Sequence, residues 1–173
     1  MTLSEKIELA FAARPKPAQV ELNDNVLQLD DDVEDALWFS GRDWHDLTWQ
    51  DWQDHSSAIF FFDPESFAYY LPSLLRLSAG NQTDSLLAAN SLINQLDRSP
   101  NVGSWTEDFV SQFLVLRPSE LEVMKEWLLQ VCEYIPYKRL GNAGSGPGDT
   151  FGRAYDTIDY LQKEIERRRM LED

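Results

Sequence analysis

Asp63-Pro64-Glu65-Ser66-Phe67-Ala68-Tyr69-Tyr70-Leu71-Pro72-Ser73-Leu74-Leu75 is the stretch from which the rest of the 173-residue chain is read. Asp63 supplies an N-cap oxygen, Pro64 suits the first helical position, where no N–H is needed, and Glu65 complements the positive end of the helix dipole. Phe67, Tyr70, Leu71, Leu74 and Leu75 then recur at helical spacing. Pro72 interrupts the run, because its ring opposes the Ala68 carbonyl and it lacks an N–H, so a kink or division is expected there before Gly80-Asn81 ends the helix.

The same signals repeat on both sides. Upstream, Thr2-x-x-Glu5 has capping-box spacing ahead of Leu3, Ile7, Ala10 and Phe11, and Pro15 and Pro17 forbid continuation. Asp30-Asp31-Asp32 opens a short helix carrying Val33, Ala36 and Leu37 that stops at Ser40-Gly41. Thr48-x-x-Asp51 caps another turn or two, with Trp49 and Trp52 expected to face inward. Downstream, Thr83 and Thr106 are read as caps, followed by Leu86, Ala89, Ile93 and Leu96 in one helix and by Phe109, Val110, Phe113 and Leu114 in the next.

Two later segments have the strongest periodicity: Leu121, Met124, Leu128, Val131 and Ile135, then Phe151, Ala154, Ile158, Leu161 and Ile165. Pro118 with Ser119-x-x-Glu122 reads as the start of the first, and Arg167-Arg168-Arg169 suits the end of the second. Ala58 to Phe62 alone has strand character. The expected fold is therefore mainly all-α, six to eight helices in one domain over residues 1–173. It includes a short strand or buried extended segment near 57–62 and a flexible glycine-rich connector at 140–149.

Composition narrows the function classes. Thirty acids against fifteen bases give a net charge of −15, which repels phosphate backbones and anionic lipid, so neither nucleic acid nor a membrane is expected as a partner. No apolar run approaches the ~20 residues of a spanning helix. The start Met1-Thr2-Leu3-Ser4-Glu5-Lys6 lacks the basic-then-apolar pattern of a secretory signal, and a cytoplasmic location is expected. The lone Cys132 forms no internal disulfide and is read as a core residue of its stripe.

No motif carries catalysis. The glycine-rich loop lacks the Gly-Lys-Ser/Thr of a phosphate-binding loop and places Asp149 where phosphate would sit. His45 and His55 stand among Asp43, Asp46, Asp51 and Asp54, which supplies metal-ligand chemistry without the i,i+4 histidine pair of a zincin helix. No catalytic, cofactor-binding or metal residue is assigned.

Charge is more informative. Residues 17–65 hold thirteen acids and one base, Arg42, a net of −12. Within them, Asp43, Trp44, Asp46, Trp49, Asp51 and Trp52 interleave carboxylates with aromatic anchors, as in interfaces that steer a basic partner, although tryptophans packed into a helical core give the same string. The favoured reading is an acidic, non-enzymatic protein-binding domain, an immunity-type or inhibitory partner of a basic protein. The alternatives are an enzyme with an acidic, metal-assisted site around His45 and His55, and a structural or regulatory helical module.

Asp43-Trp44-His45-Asp46-Leu47-Thr48 and Phe67-Ala68-Tyr69-Tyr70-Leu71-Pro72 together resemble the signature of a bacterial family of unknown function, which pairs Trp-x-x-Leu-Thr with Phe-x-Tyr-Tyr-Leu-Pro. The resemblance spans about residues 30–135. It implies a small helical bacterial protein and brings no catalytic residues with it.

Overall fold

In the computed structural model, residues 1–23, 30–80, 86–133 and 147–172 are described, with side chains at 147–149 and 172 excepted. They form α1 (Leu3–Phe11), α2 (Asp30–Leu37), α3 (Trp49–Asp54), α4 (Pro64–Gly80), α5 (Leu87–Leu96), α6 (Glu107–Leu114), α7 (Pro118–Val131) and α8 (Pro147–Glu172). The fold is mainly helical. Two expectations fall wholly or partly outside the described residues: the Thr83 cap, and the connector at 140–149 as far as residue 146. Ile135 lies there too. Residues 147–149 belong to α8.

α4 is the centre of the molecule. Twelve of its residues are buried, on every face, from Ser66 to Ala79. α1, α5, α6 and α7 pack around it, and α8 closes over α5, α6 and α7. One continuous apolar cluster runs from Ile7 in α1 to Ile165 in α8.

Burial on all sides obliges α4's polar groups to find partners inside the protein. Trp52 Nε1 of α3 donates to Ser73 Oγ at 2.8 Å, and Ser73 donates onward to the Tyr70 carbonyl at 2.8 Å. Trp127 Nε1 of α7 donates to Ser78 Oγ at 2.9 Å. The Tyr70 hydroxyl donates to the carbonyls of Phe39 at 2.7 Å and Arg42 at 3.2 Å, just past α2. Its burial pushes the phenol pKa up to about 12.

Several local expectations need correction. Pro72 does not divide α4, which stays helical from Pro64 to Gly80; packing on every face outweighs the single backbone hydrogen bond that the proline removes. Ser119 does not cap α7. The helix starts one residue earlier, and Glu120 accepts the Arg117 N–H at 2.6 Å.

Cys132 is exposed just beyond α7, its thiol donating to the Leu129 carbonyl at 3.1 Å. It is therefore not a core residue, and partial desolvation raises its pKa away from a reactive thiolate. Ala58–Phe60 is a 3-10 turn rather than a strand. The extended character begins after it: Phe62 bridges Leu22. Asn23 N–H donates to the Phe61 carbonyl at 2.8 Å and Asp63 N–H to the Glu21 carbonyl at 3.0 Å.

α1 and α7 are joined by a buried ion pair. Arg14, 6% exposed at its side chain, grips the fully buried Glu120 with two nitrogens, the Nε contact being 2.7 Å, and also donates to the Val115 carbonyl at 2.7 Å. With the Arg117 N–H this satisfies the carboxylate, which is the condition for a buried charge to be tolerated. Glu120→Ala leaves the buried Arg14 with only the Val115 carbonyl and the exposed Glu65 at 3.8 Å and is expected to cost about 3 kcal/mol in denaturant unfolding, whereas Arg14→Met combined with Glu120→Leu recovers most of the loss.

At the far end of α8, Arg167 and Arg168 hold the Glu164 carboxyl down to about 2 through hydrogen bonds of 2.7–2.8 Å. A depressed carboxyl contributes stability that is fully present above its ordinary value of 4.5 and is lost as pH falls toward about 2. Glu164→Gln should thus be less stable than the parent at neutral pH, with the gap in unfolding midpoint closing across that acid window.

Candidate acidic interaction face

Asp43, Trp44, Asp46, Trp49, Asp51 and Trp52 divide by chemistry. The rings turn inward: Trp52 is wholly buried against Phe39, Trp44 is buried, and Trp49 is half-buried against the core. The carboxylates stay outside, and Asp43, Asp46 and Asp51 line a pocket of about 300 Å³ together with Lys16 and Arg42.

Two of these acids are engaged locally. Asp51 accepts the Thr48 N–H and hydroxyl, both at 2.8 Å, and Thr48 Oγ1 accepts the Asp51 N–H in return, which is the reciprocal cap expected from Thr48-x-x-Asp51. Asp43 accepts the His45 N–H at 3.0 Å and pairs with His45 Nδ1 at 2.6 Å; these bonds hold its pKa below the usual carboxylate value. Burial, followed by the Asp43 charge, pushes the neighbouring Tyr69 hydroxyl up. Asp46 is exposed and has no side-chain partner among the described residues.

The two histidines are built into different places. His45 stacks on Trp44 with centroids 3.6 Å apart, and Arg76 donates to its carbonyl at 3.0 Å. His55 stacks on Trp38 at 4.3 Å and pairs with Asp35 at 2.9 Å. Among the described residues no three of His, Cys, Asp and Glu group as metal ligands would. Sequence reasoning missed Asp35 and Trp38, because their links to His55 cross 20 and 17 residues of chain.

Charge pairing separates two regions of the protein. Outside 17–65, Lys6 meets Glu126 at 2.6 Å, Lys125 meets Asp159 at 2.6 Å, Arg76 meets Glu8 at 3.8 Å, Arg153 meets Asp97, and Arg14 and Arg168 hold Glu120 and Glu164. Inside 17–65, among the described residues, the only carboxylate within reach of a lysine or arginine is Glu65, 3.8 Å from Arg14. Arg42, the segment's one base, lies with its guanidinium 3.5 Å over the Trp38 ring. Asp31 and Glu34 are exposed and, among the described residues, make no ion pair; Asp46 is exposed too and shares its pocket with Lys16 and Arg42 without pairing to either.

A family model described as a family of unknown function (DUF6714) matches residues 1–103. The chain belongs to that family. The match begins at residue 1 and stops at 103, so it includes both signature segments but not the span of 30–135 expected from them. No curated protein and no solved structure matches the chain. Among the described residues no helix is long and apolar enough to cross a membrane.

The DUF6714 region holds α1 to α5, yet the faces of α1, α4 and α5 are covered by α6, α7 and α8. Residues 1–103 produced alone are therefore expected to lack a cooperative unfolding transition and near-ultraviolet dichroism, since Trp127 and the Glu120 partner of Arg14 are gone.

Proposed function

We propose that this DUF6714 protein is an acidic docking domain, a non-enzymatic, immunity-type or inhibitory partner that covers a basic surface of another protein in the cytoplasm. The observation that carries the reading is the uneven compensation of charge: among the described residues Glu65 is the one carboxylate of 17–65 that pairs with a lysine or arginine, whereas Glu8, Asp97, Glu120, Glu126, Asp159 and Glu164 elsewhere do so. An uncompensated field of one sign steers an oppositely charged partner and repels nucleic acid and anionic lipid. Trp44 and Trp52 are buried and Trp49 is half-buried, so charge rather than inserted rings supplies recognition.

Asp43 and Asp51 maintain local turns, so charge reversal there would mix folding with binding. Asp31, Glu34 and Asp46 make no side-chain hydrogen bond among the described residues; because the Asp31 charge suits the N-terminal dipole of α2, the triple variant below is read only with far-ultraviolet dichroism matching the parent's. The tagged protein, incubated with an extract of its native host, is expected to retain a basic protein whose association slows by about an order of magnitude as salt rises through physiological strength. Asp31→Lys, Glu34→Lys and Asp46→Lys together should abolish retention, while the same reversal at the exposed Glu133, Asp156 and Glu166 should not. Equal retention by both triple variants sinks the proposal.

A further inference from the structure

α2 supplies five acids to the acidic region, Asp30, Asp31, Asp32, Glu34 and Asp35, yet it is poorly equipped to stay in place. Eight residues are too few to be stable alone, and Asp30 with Glu34, and Asp31 with Asp35, are like charges four apart, which oppose the helix. It carries no lysine or arginine to relieve them. The three leading aspartates favour the N-terminal dipole, and Ala36 is the one residue of the helix that is buried. Its packing is chiefly against the 3-10 turn Ala58–Phe60.

One side chain closes that gap. Asp35 sends Oδ1 to His55 Nδ1 at 2.9 Å and Oδ2 to the Ser57 hydroxyl at 3.1 Å, so both oxygens are committed to the segment leading into the 3-10 turn. His55 is held in turn by its N–H to the Asp51 carbonyl at 3.1 Å and by its stack on Trp38. Arg42 lies over the same indole. The cluster ties α2, the end of α3 and the turn into one unit, and Phe39, buried one residue beyond Trp38, anchors the downstream end.

We infer that Asp35 is a positioning residue: it clasps α2 to the body and so sets where the exposed Asp30, Asp31 and Glu34 stand, rather than presenting its own charge to a partner. The functional consequence rests on the docking reading above, but the clasp is a property of the free protein. It distinguishes Asp35 from Glu34, its neighbour of the same charge on the same helix. Removing the clasp frees α2 to swing or unwind about Phe39, while removing Glu34 leaves it seated.

The test is amide hydrogen exchange over residues 30–37, read together with the ring-proton resonances of His55, which the Trp38 indole displaces by its ring current. Asp35→Ala should exchange roughly tenfold faster or more across α2, with the rest of the protein unchanged, and should move the His55 resonances toward free-histidine positions. Asp35→Asn keeps an acceptor for His55 and a polar group for Ser57, and should restore both readings to near the parent. Glu34→Gln, which removes the same charge and relieves repulsion from Asp30, should leave the His55 resonances in place and α2 exchange no faster than in the parent. Unaltered α2 exchange in Asp35→Ala, or equal acceleration in Glu34→Gln, overturns the inference. Failure to capture a basic partner would sink the docking proposal and leave these outcomes intact.

Discussion

A helix buried on every side can have no unsatisfied polar group, and that constraint on α4 organises the neighbouring elements. Its serines receive the two indole N–H groups of Trp52 and Trp127, and its tyrosine hydroxyl reaches back to the carbonyls of Phe39 and Arg42. Gln130 of α7 adds a bond to the Ala79 carbonyl at 3.0 Å, near the C-terminal end of α4. Together the bonds tie α3, α7 and the segment after α2 to the centre. The cost of leaving any of these groups dry is larger than the net gain from making it, so the bonds act less as glue than as selectors of one arrangement.

Around this centre the chain uses charge in two ways. In the shell built by α1, α5, α7 and α8, acids and bases meet across long sequence separations, and the Arg14–Glu120 pair is buried outright. From 17 to 65 the acids instead cap turns, pair with histidine or face water. A protein that needed charge only for solubility would have little reason to segregate it this way; a protein that docks a basic surface would. The same segment carries four of the six tryptophans, and of these Trp44 and Trp52 are buried, Trp52 packed on Phe39 and bonded to Ser73.

The clasp at Asp35 shows how local and long-range forces divide within that surface. Propensity and i,i+4 charge both argue against a stable α2, and the helix persists because a carboxylate, an imidazole and a hydroxyl from another part of the chain hold it. Such an element is the natural place for motion in an otherwise packed protein.

What the sequence determined by itself was whatever depends on neighbours within a few residues. The caps at Thr2, Thr48 and Thr106, the entry at Asp63-Pro64, the apolar stripes of α7 and α8 and the regional charge were all legible, because capping and helical periodicity act over three or four positions. Only the tertiary structure decided that Pro72 would be carried inside an intact helix, that Glu120 would be buried against Arg14, and that Asp35 would clasp His55. Each of those outcomes turns on a partner 20 or more residues away, or on burial that offsets a local penalty. No local pattern encodes which distant group will arrive, so the acidic region and its inward-facing tryptophans could be seen in the sequence while its clasp could not.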